Sequence, residues 1–214
     1  MSRVFWSVLL ERSVQEYAVD ALLQVAIRAG MAGYARLAMP YHRTDMARNI
    51  IVKKFGEVAE AQDTLVMLDD DHIHPPDIME RLVKHNVGVV GALAFARGAP
   101  FFPCAFVRDT QGEMRFVAEP VCGLQQVNAV GTGAIAIKRW VFDKLNEAGF
   151  SWPFFRYEYP PQETMPSEDM YFARICELAG IPQYCDMDTI TPHLIASTVS
   201  ADSWQQWITE HGNH

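Results

Sequence analysis

The 214-residue chain has few cysteines, and their spacing excludes the common cysteine-based sites. Four cysteines are present, and no two of them form a Cys-x-x-Cys pair, so no structural zinc knuckle is expected. A chain of this length buries enough apolar surface to fold without disulfides. We therefore expect free thiols in a reducing, cytoplasmic environment, with Cys176 in the core because it falls in an apolar helical pattern.

Basic residues are also scarce in this chain. Lys and Arg number 18 against 26 Asp and Glu, which gives a formal net charge of -8. A surface that binds a nucleic-acid polymer needs clustered Lys and Arg to neutralise phosphates, so this class of partner is excluded. Binding of a single nucleotide stays open, because a bound cation can supply positive charge locally.

Apolar runs long enough to span a membrane are absent. The run VFWSVLL at 4–10 is short, and Glu11 and Arg12 follow it directly. We therefore expect no signal peptide and no transmembrane helix, while peripheral attachment to a membrane or a partner stays open. Without repeats or a domain boundary, the sequence predicts one domain over 1–195 and a tail over 196–214, in which Trp204, Trp207 and Ile208 have the spacing of a short helix.

What the chain does contain is an alternation of short apolar runs with amphipathic helical patterns. The runs predict strands at 4–10, 34–39, 64–68, 87–95, 126–138 and 183–188, a hairpin at 104–117, and helices at 14–29, 44–61, 77–85, 139–148 and 167–179. This order is typical of an α/β domain with a mostly parallel central sheet flanked by helices.

Three consecutive aspartates, Asp69, Asp70 and Asp71, follow the apolar run at 64–68. Adjacent carboxylates repel one another unless a cation compensates them, and open α/β sheets bind ligands at the carboxyl ends of their strands. Mg²⁺ and Mn²⁺ commonly bridge carboxylates to substrate phosphates. Side-chain alternation predicts that Asp69 and Asp71 share a metal while Asp70 faces a ribose hydroxyl or a backbone amide. The alternative is a solvated acidic loop before a helix.

A second acidic pair, Glu168 and Asp169, begins the predicted helix at 167–179. Ser167 is a favourable N-cap residue and carboxylates suit a first helical turn, which is one complete explanation of the segment. The other is that one carboxylate acts as a general base toward an acceptor hydroxyl.

Histidines near the ends of two strands are candidate metal ligands. His193 follows the last predicted strand, and a neutral imidazole binds divalent metals. His72 and His74 lie beside the aspartates and are rival ligands, but their place before a helix favours surface positions.

Three segments of the chain together resemble a known family. VMLDDDHIHPPDIMERL at 66–82, VGTGAIAIKRWVFDKL at 130–145 and SEDMYFARICELAGIPQYCDMDTITPHL at 167–194 are similar, in order and spacing, to segments of inverting, family-two-like glycosyltransferases of the GT-A type. The resemblance covers residues 45–195 and implies a single Rossmann-like GT-A domain. It also implies a hexosyltransferase type of activity that requires Mn²⁺ or Mg²⁺.

The resemblance assigns roles to individual residues of this chain. It implies a metal site of Asp69, Asp71 and His193, a general base at Asp169, and a supporting role for Glu168. The donor-binding set that it implies consists of Arg48, Asn49, Asp69, Asp70, Gly131, Thr132 and Gly133.

Two departures from the family pattern concern the substrates. The first strand ends in LLERSVQEY instead of the usual loop for the donor base, so Arg12 and Ser13 are only positional candidates. The chain also lacks a large acceptor domain, which leaves acceptor binding to a partner or to a Pro-aromatic loop. The loop's aromatic residues are Trp152, Phe154, Phe155, Tyr157 and Tyr159, of which Trp152 and Tyr157 are the predicted acceptor contacts.

The sequence thus predicts transfer of a sugar from a nucleotide diphosphate sugar to a hydroxyl acceptor, with a glycan or glycoconjugate as the expected acceptor. Two alternatives stay open. One is a nucleotidyltransferase-like enzyme, although no glycine-rich phosphate loop with a catalytic Lys is present. The other is a non-catalytic module that binds nucleotide sugars. Assembly into a homo-oligomer is open as well.

Overall fold

The structure is a computed structural model that describes residues 2–9, 16–39, 42–98, 100–117, 122–157, 167–195 and 209. The helices are α1 (Glu16–Met31), α2 (Thr44–Val58), α3 (Ile78–Val83), α4 (Arg139–Glu147) and α5 (Glu168–Leu178). The strands are β1 (Val4–Leu9), β2 (Ala35–Arg36), β3 (Thr64–Asp69), β4 (Val89–Leu93), β5 (Ala105–Arg108), β6 (Met114–Phe116), β7 (Leu124–Val127), β8 (Ala129–Val130), β9 (Ala134–Lys138) and β10 (Gln183–Ile190).

Within the described residues, seven strands form one sheet in the order β2-β1-β3-β9-β4-β10-β7. The pairs β1–β2, β1–β3 and β4–β10 are parallel, whereas β9 runs antiparallel to β3 and β4, and β7 antiparallel to β10. Five strands therefore point the same way, which confirms the predicted α/β class with a mostly parallel sheet. The antiparallel insertion of β9 between β3 and β4 was not predicted.

Strand β3 explains why the sheet lies at the centre of the domain. All but the last of its residues are buried, and their side chains alternate between two apolar clusters. Leu65 and Met67 pack with residues of α2, α4 and α5 on one face, whereas Val66 and Leu68 pack with residues of α1 and α3 on the other. A strand covered on both faces reads as a continuous apolar run, which is the pattern that the sequence carries.

A smaller sheet of order β6-β5-β8 lies beside the main sheet. Its β5–β6 pair is antiparallel and confirms the predicted hairpin. Strand β8 belongs to the smaller sheet, where it pairs with β5, although its neighbours along the chain, β7 and β9, belong to the main sheet. Residues Gly131, Thr132 and Gly133 connect β8 to β9.

Other predictions have mixed outcomes. All four cysteines are free, and Cys176 is buried, as expected. Among the described residues, no helix is both long enough and apolar enough to cross a membrane. The predicted tail helix and the positions of Arg12, Ser13 and Tyr159 lie outside the described residues.

Candidate active site

The three aspartates lie where β3 ends, and they line a cavity of about 370 Å³ at the carboxyl edge of the sheet. Residues from several further segments of the chain complete its wall. The lining residues are Leu9, His42, Thr44, Arg48, Asp69, Asp70, Asp71, His72, Ala94, Arg97, Cys104, Gly131, Thr132, Gly133, Tyr157, Glu168, Asp169 and His193. The fold thus brings most of the predicted site residues into one place, although they are up to 145 positions apart in the chain.

Asp71, His72 and His193 form the group that is suited to hold a metal ion among the described residues. Asp71 Oδ2 lies 3.1 Å from His193 Nε2, and Asp71 Oδ1 lies 2.8 Å from His72 Nδ1. The imidazole rings of His72 and His193 stack with their centroids 4.1 Å apart. A single antiparallel β-bridge between the backbones of His72 and His193 holds the two loops together.

The hydrogen bonds of His193 determine which of its ring nitrogens carries the hydrogen and which has the free lone pair. Its Nδ1 lies 3.0 Å from the carbonyl oxygen of Phe95, and because a carbonyl only accepts, Nδ1 carries the hydrogen. The lone pair is therefore on Nε2, which faces Asp71 Oδ2. Burial disfavours the Asp71 carboxylate, but the hydrogen bond from His72 and the positive charge of Arg97 outweigh this effect and hold the pKa of Asp71 well below its usual range.

A carboxylate oxygen and an imidazole lone pair directed at one another fit a divalent cation. This N,O ligand pair is compatible with Mn²⁺, and the hydrogen bond from His72 to Asp71 orients the carboxylate from behind. His72 and His74 are only 3% and 1% exposed, so the expectation that they lie on the surface is wrong. They are buried because the loop after β3 folds back against β9 and the segment at 192–193.

Arg48 connects the two acidic elements of the site. Its side chain is 1% exposed, and its Nη2 lies 2.9 and 2.8 Å from the two carboxylate oxygens of Asp69. Its Nε lies 3.3 Å from Glu168 Oε1. Burial disfavours the charged guanidinium, but these carboxylates raise the pKa of Arg48 above its ordinary value.

The position of Asp69 differs from the predicted one. Both of its carboxylate oxygens contact Arg48, and it is not part of the group around Asp71. The two aspartates diverge because β3 ends at Asp69 and the chain turns there, so the alternation of an extended strand does not continue to Asp71. Asp70 is 2% exposed and borders the cavity.

Glu168 and Asp169 have different environments at the start of α5. Burial and the neighbouring Asp169 raise the pKa of Glu168, which Arg48 and the Tyr157 hydroxyl partly oppose. Burial and the hydrogen bond to Glu168 raise the pKa of Tyr157 to about 12, so its hydroxyl remains a donor at neutral pH. Asp169 accepts hydrogen bonds at Oδ1 from Ser167 Oγ and from the amide of Met170. Ser167 occupies the N-cap position but makes no capping hydrogen bond.

The glycines at 131–133 allow close packing around the cavity. A Cβ on Gly131 would lie 2.8 Å from Cys104 Cβ, and one on Gly133 would lie 2.6 Å from His72 Nε2. Gly133 O also accepts a hydrogen bond of 2.8 Å from the amide of Asp69. The Gly-Thr-Gly segment therefore positions the aspartate loop, in addition to bordering the cavity.

Asn49 and Trp152 do not line the cavity. Asn49 Nδ2 donates to Asp45 O and Phe155 O at 2.8 and 2.7 Å, and its Oδ1 accepts from the amides of Phe154 and Phe155. Trp152 is 53% exposed and borders a separate apolar pocket. Phe154 and Phe155 are core residues, which corrects their assignment to an acceptor surface, whereas Tyr157 does line the cavity.

Arg97 is the main cavity residue that sequence reasoning missed. It donates from Nη2 to Asp71 Oδ2 and from Nε to His193 Nε2 at 2.6 Å. It follows β4 at the same edge of the sheet, but no spacing or motif in the sequence marks it. To place Arg97 beside Asp71, the position of β4 in the sheet relative to β3 would have to be known, and the sequence does not give it.

Comparisons with known proteins give similarity in structure but not in sequence. No protein-family model matches the chain, and no curated protein matches it. A197 from STIV is similar with a TM-score of 0.62 and 19% identity, over 91% of this chain and 86% of that one. A glycosyltransferase involved in glycosylation of the major capsid of PBCV-1 has a TM-score of 0.51 and 12% identity, over 92% of this chain and 95% of that one.

A Drosophila β-1,4-galactosyltransferase 7 mutant in complex with manganese, UDP-Gal and xylobiose has a TM-score of 0.48 and 12% identity, over all of this chain and 82% of that one. The first two similarities span nearly the whole domain and, at these identities, concern the fold. The fold is a Rossmann-like α/β domain of the GT-A type, as the sequence predicted.

Proposed function

We propose that this protein is a metal-dependent, inverting glycosyltransferase that moves a sugar from a nucleotide diphosphate sugar to a hydroxyl acceptor. One observation carries the proposal: the Asp71–His193 pair and Asp169 line the same cavity, and buried Arg48 connects Asp69 to Glu168 between them. A phosphate-binding cation site and a free carboxylate are the two groups that direct glycosyl transfer requires.

Asp71 and His193 would hold Mn²⁺ or Mg²⁺, with His72 as a supporting or additional ligand. A bound divalent cation neutralises the charge that develops on the departing diphosphate. Asp69 is fixed by Arg48, so its role in this proposal is donor binding beside the metal instead of metal ligation. Asp70, Arg48 and the segment Gly131, Thr132 and Gly133 border the same donor space.

Asp169 is the proposed general base. Its Oδ1 is occupied by Ser167 and the Met170 amide, and among the described residues no hydrogen bond reaches its Oδ2. Oδ2 is therefore suited to take the proton of an acceptor hydroxyl as that oxygen attacks the anomeric carbon from the side opposite the leaving diphosphate. This direct displacement inverts the anomeric centre. Glu168 serves as a support, because Arg48 and Tyr157 already bind its carboxylate.

The test is a screen of nucleotide sugars with Mn²⁺, read as release of nucleotide diphosphate. For a donor that turns over, Asp169→Asn should lower the rate by about two to four orders of magnitude. Its affinity for the nucleotide diphosphate and Mn²⁺, measured by calorimetry, should stay near that of the wild type. Asp188→Asn, at an exposed position of β10, is the matched control and should change neither quantity. Near wild-type turnover by Asp169→Asn would remove the base assignment.

Two further measurements separate the alternatives. Release of inorganic pyrophosphate from a nucleoside triphosphate would indicate a nucleotidyltransferase. Binding of a nucleotide sugar with Mn²⁺ but without turnover would indicate a non-catalytic module. A glycan or glycoconjugate is the proposed acceptor, and since the PBCV-1 neighbour acts in glycosylation of a capsid, a glycan carried on a protein is one form to test. Tyr157 is the proposed acceptor contact, whereas Trp152 borders a different pocket.

A cytoplasmic location and self-association are further parts of the proposal. Helix α1 exposes an apolar stripe of Val19, Leu23, Ile27 and Met31 at intervals of four residues. The proposed contact is between these apolar stripes alone, because Arg28 of the same helix already pairs with Glu80. Sedimentation velocity should detect a dimer that the double variant Leu23→Glu, Ile27→Glu converts to monomer.

A further inference from the structure

Arg97 lies at the position between Asp71 and His193 that a cation would be expected to take. Asp71 Oδ2 and His193 Nε2 are 3.1 Å apart, and both atoms are hydrogen-bond acceptors. Two acceptors at this distance repel each other unless a positive group contacts both. The guanidinium of Arg97 does so, with Nη2 on Asp71 Oδ2 and Nε on His193 Nε2.

Arg97 is also placed to leave this position. Its side chain is 55% exposed, whereas Asp71 is 18% and His193 is 15% exposed. It belongs to the short segment between β4 and β5, where the amide of Ala96 bonds to Phe102 and Gly98 follows directly. Within the described part of the chain, its guanidinium makes two hydrogen bonds, one to each of the two prospective metal ligands. A rotation of the side chain alone would free them.

We propose that the Arg97 guanidinium acts as a resident cation that occupies the metal site while no metal is bound. A divalent metal displaces this guanidinium, and the displaced guanidinium then binds the diphosphate of the donor. The proposal rests on the proposed function for its second half only. In the metal-free protein, Arg97 keeps Asp71 and His193 in their ligating positions and blocks them. After displacement, the guanidinium remains at the cavity wall, where a planar fork of donors suits phosphate oxygens.

The two halves predict opposite effects of one substitution. Arg97→Ala should bind Mn²⁺ about tenfold or more tightly in the absence of nucleotide, because charge-assisted bonds no longer compete for the ligands. The same variant, at saturating Mn²⁺, should bind a nucleoside diphosphate about tenfold more weakly. Free Mn²⁺ measured by electron paramagnetic resonance gives the first quantity, and calorimetry with UDP or GDP gives the second.

Arg97→Lys separates displacement from general charge repulsion. A lysine keeps the positive charge but lacks the two-pronged geometry that spans both atoms. Displacement predicts an Mn²⁺ affinity between those of the wild type and Arg97→Ala, whereas simple repulsion predicts the wild-type value. Arg115→Ala, which removes an exposed arginine that pairs with Asp109, is the matched control and should leave both affinities unchanged.

Each outcome decides part of the proposal. An Mn²⁺ affinity of Arg97→Ala at or below the wild-type value would overturn it, as would a wild-type value for Arg97→Lys. Unchanged nucleoside diphosphate affinity would overturn the second half. If no nucleotide sugar turns over but the Mn²⁺ effects are observed, the proposed function fails while the resident-cation role stands.

Discussion

At the scale of the residue, Arg48 is the side chain on which both acidic elements depend. It is buried, and without its guanidinium the carboxylates of Asp69 and Glu168 would face each other uncompensated. Removing one member of a buried ionic group costs about 3–5 kcal/mol. We therefore expect Arg48→Met to lower the free energy of unfolding by that amount, measured by urea denaturation.

The matched control for Arg48 is an exposed arginine. Arg81 forms an i,i+4 pair with Asp77 and is 39% exposed, so Arg81→Met should cost less than about 1 kcal/mol. The double variant Arg48→Met, Glu168→Gln should recover part of the stability, because it also removes a buried charge. If Arg48→Met were as stable as Arg81→Met, the bridging role would be wrong.

Gly133 provides a second test at this scale. A Cβ there would lie 2.6 Å from His72 Nε2, so Gly133→Ala must displace the imidazole that orients Asp71. Changes in a group that orients a ligand typically cost about 10–100-fold in metal affinity. We expect a loss of Mn²⁺ affinity in this range, measured by titration calorimetry. Gly30→Ala, which has no atom within 4 Å of the new Cβ, should bind Mn²⁺ like the wild type.

The sequence identified these residues unequally. Asp71, Asp169 and His193 have chemically specific side chains and matched a known pattern, so they were predictable as candidates. The presence of Arg97 and His72 in the site depends on which loops are adjacent in the folded chain. The absence of Asn49 from the cavity wall depends on which face of its helix is turned toward the cavity. Neither kind of information is present in local spacing.

At the scale of the element, Asn49 fixes the loop at 152–155 to helix α2. Its side chain bonds to three backbone groups of that loop, and Phe155 stacks on Phe172 of α5 with ring centroids 4.6 Å apart. Helix α5 in turn begins at Glu168 and carries Asp169. The loop is therefore a support for the proposed base instead of a surface for the acceptor.

We expect Asn49→Ala to be markedly destabilised. It would leave buried amides and a carbonyl without partners, and each such group costs about 1–3 kcal/mol. Chemical denaturation should show a loss on the order of 3 kcal/mol, while Lys53→Ala at an exposed position of the same helix should show almost none. A small loss in Asn49→Ala would mean that the loop is held mainly by its aromatic packing.

The elements themselves were largely predictable, because each apolar run or amphipathic pattern produced a strand or a helix near its expected position. Strand direction was not. The run at β9 looks like any other buried strand, and its antiparallel insertion between β3 and β4 depends on the paired backbones of all three strands.

At the scale of the whole molecule, a buried histidine makes stability depend on pH. Burial lowers the pKa of His74 to about 4, from about 6.5 in an unfolded chain. Between these values the unfolded state binds a proton that the folded state does not. His74 therefore lowers the free energy of unfolding as the pH falls from about 6.5 toward 4, by up to roughly 3 kcal/mol. Above about pH 6.5 the histidine is neutral in both states and has no such effect.

His74→Gln should remove this part of the pH dependence while it keeps a donor for the carbonyl of Asp69. Urea denaturation between pH 7 and pH 4.5 should therefore give a shallower decline for the variant than for the wild type. Parallel declines would show that His74 does not contribute.

The charge of the cavity wall constrains the order in which ligands can enter. Among the described residues that line it, there are five carboxylates but only two guanidiniums. A free diphosphate would approach an excess of negative charge, so its entry is opposed until a divalent ion is present. Steady-state kinetics of the proposed sugar transfer should accordingly follow a compulsory sequence, in which the cation adds before the proposed donor or together with it, and departs only after the nucleotide product.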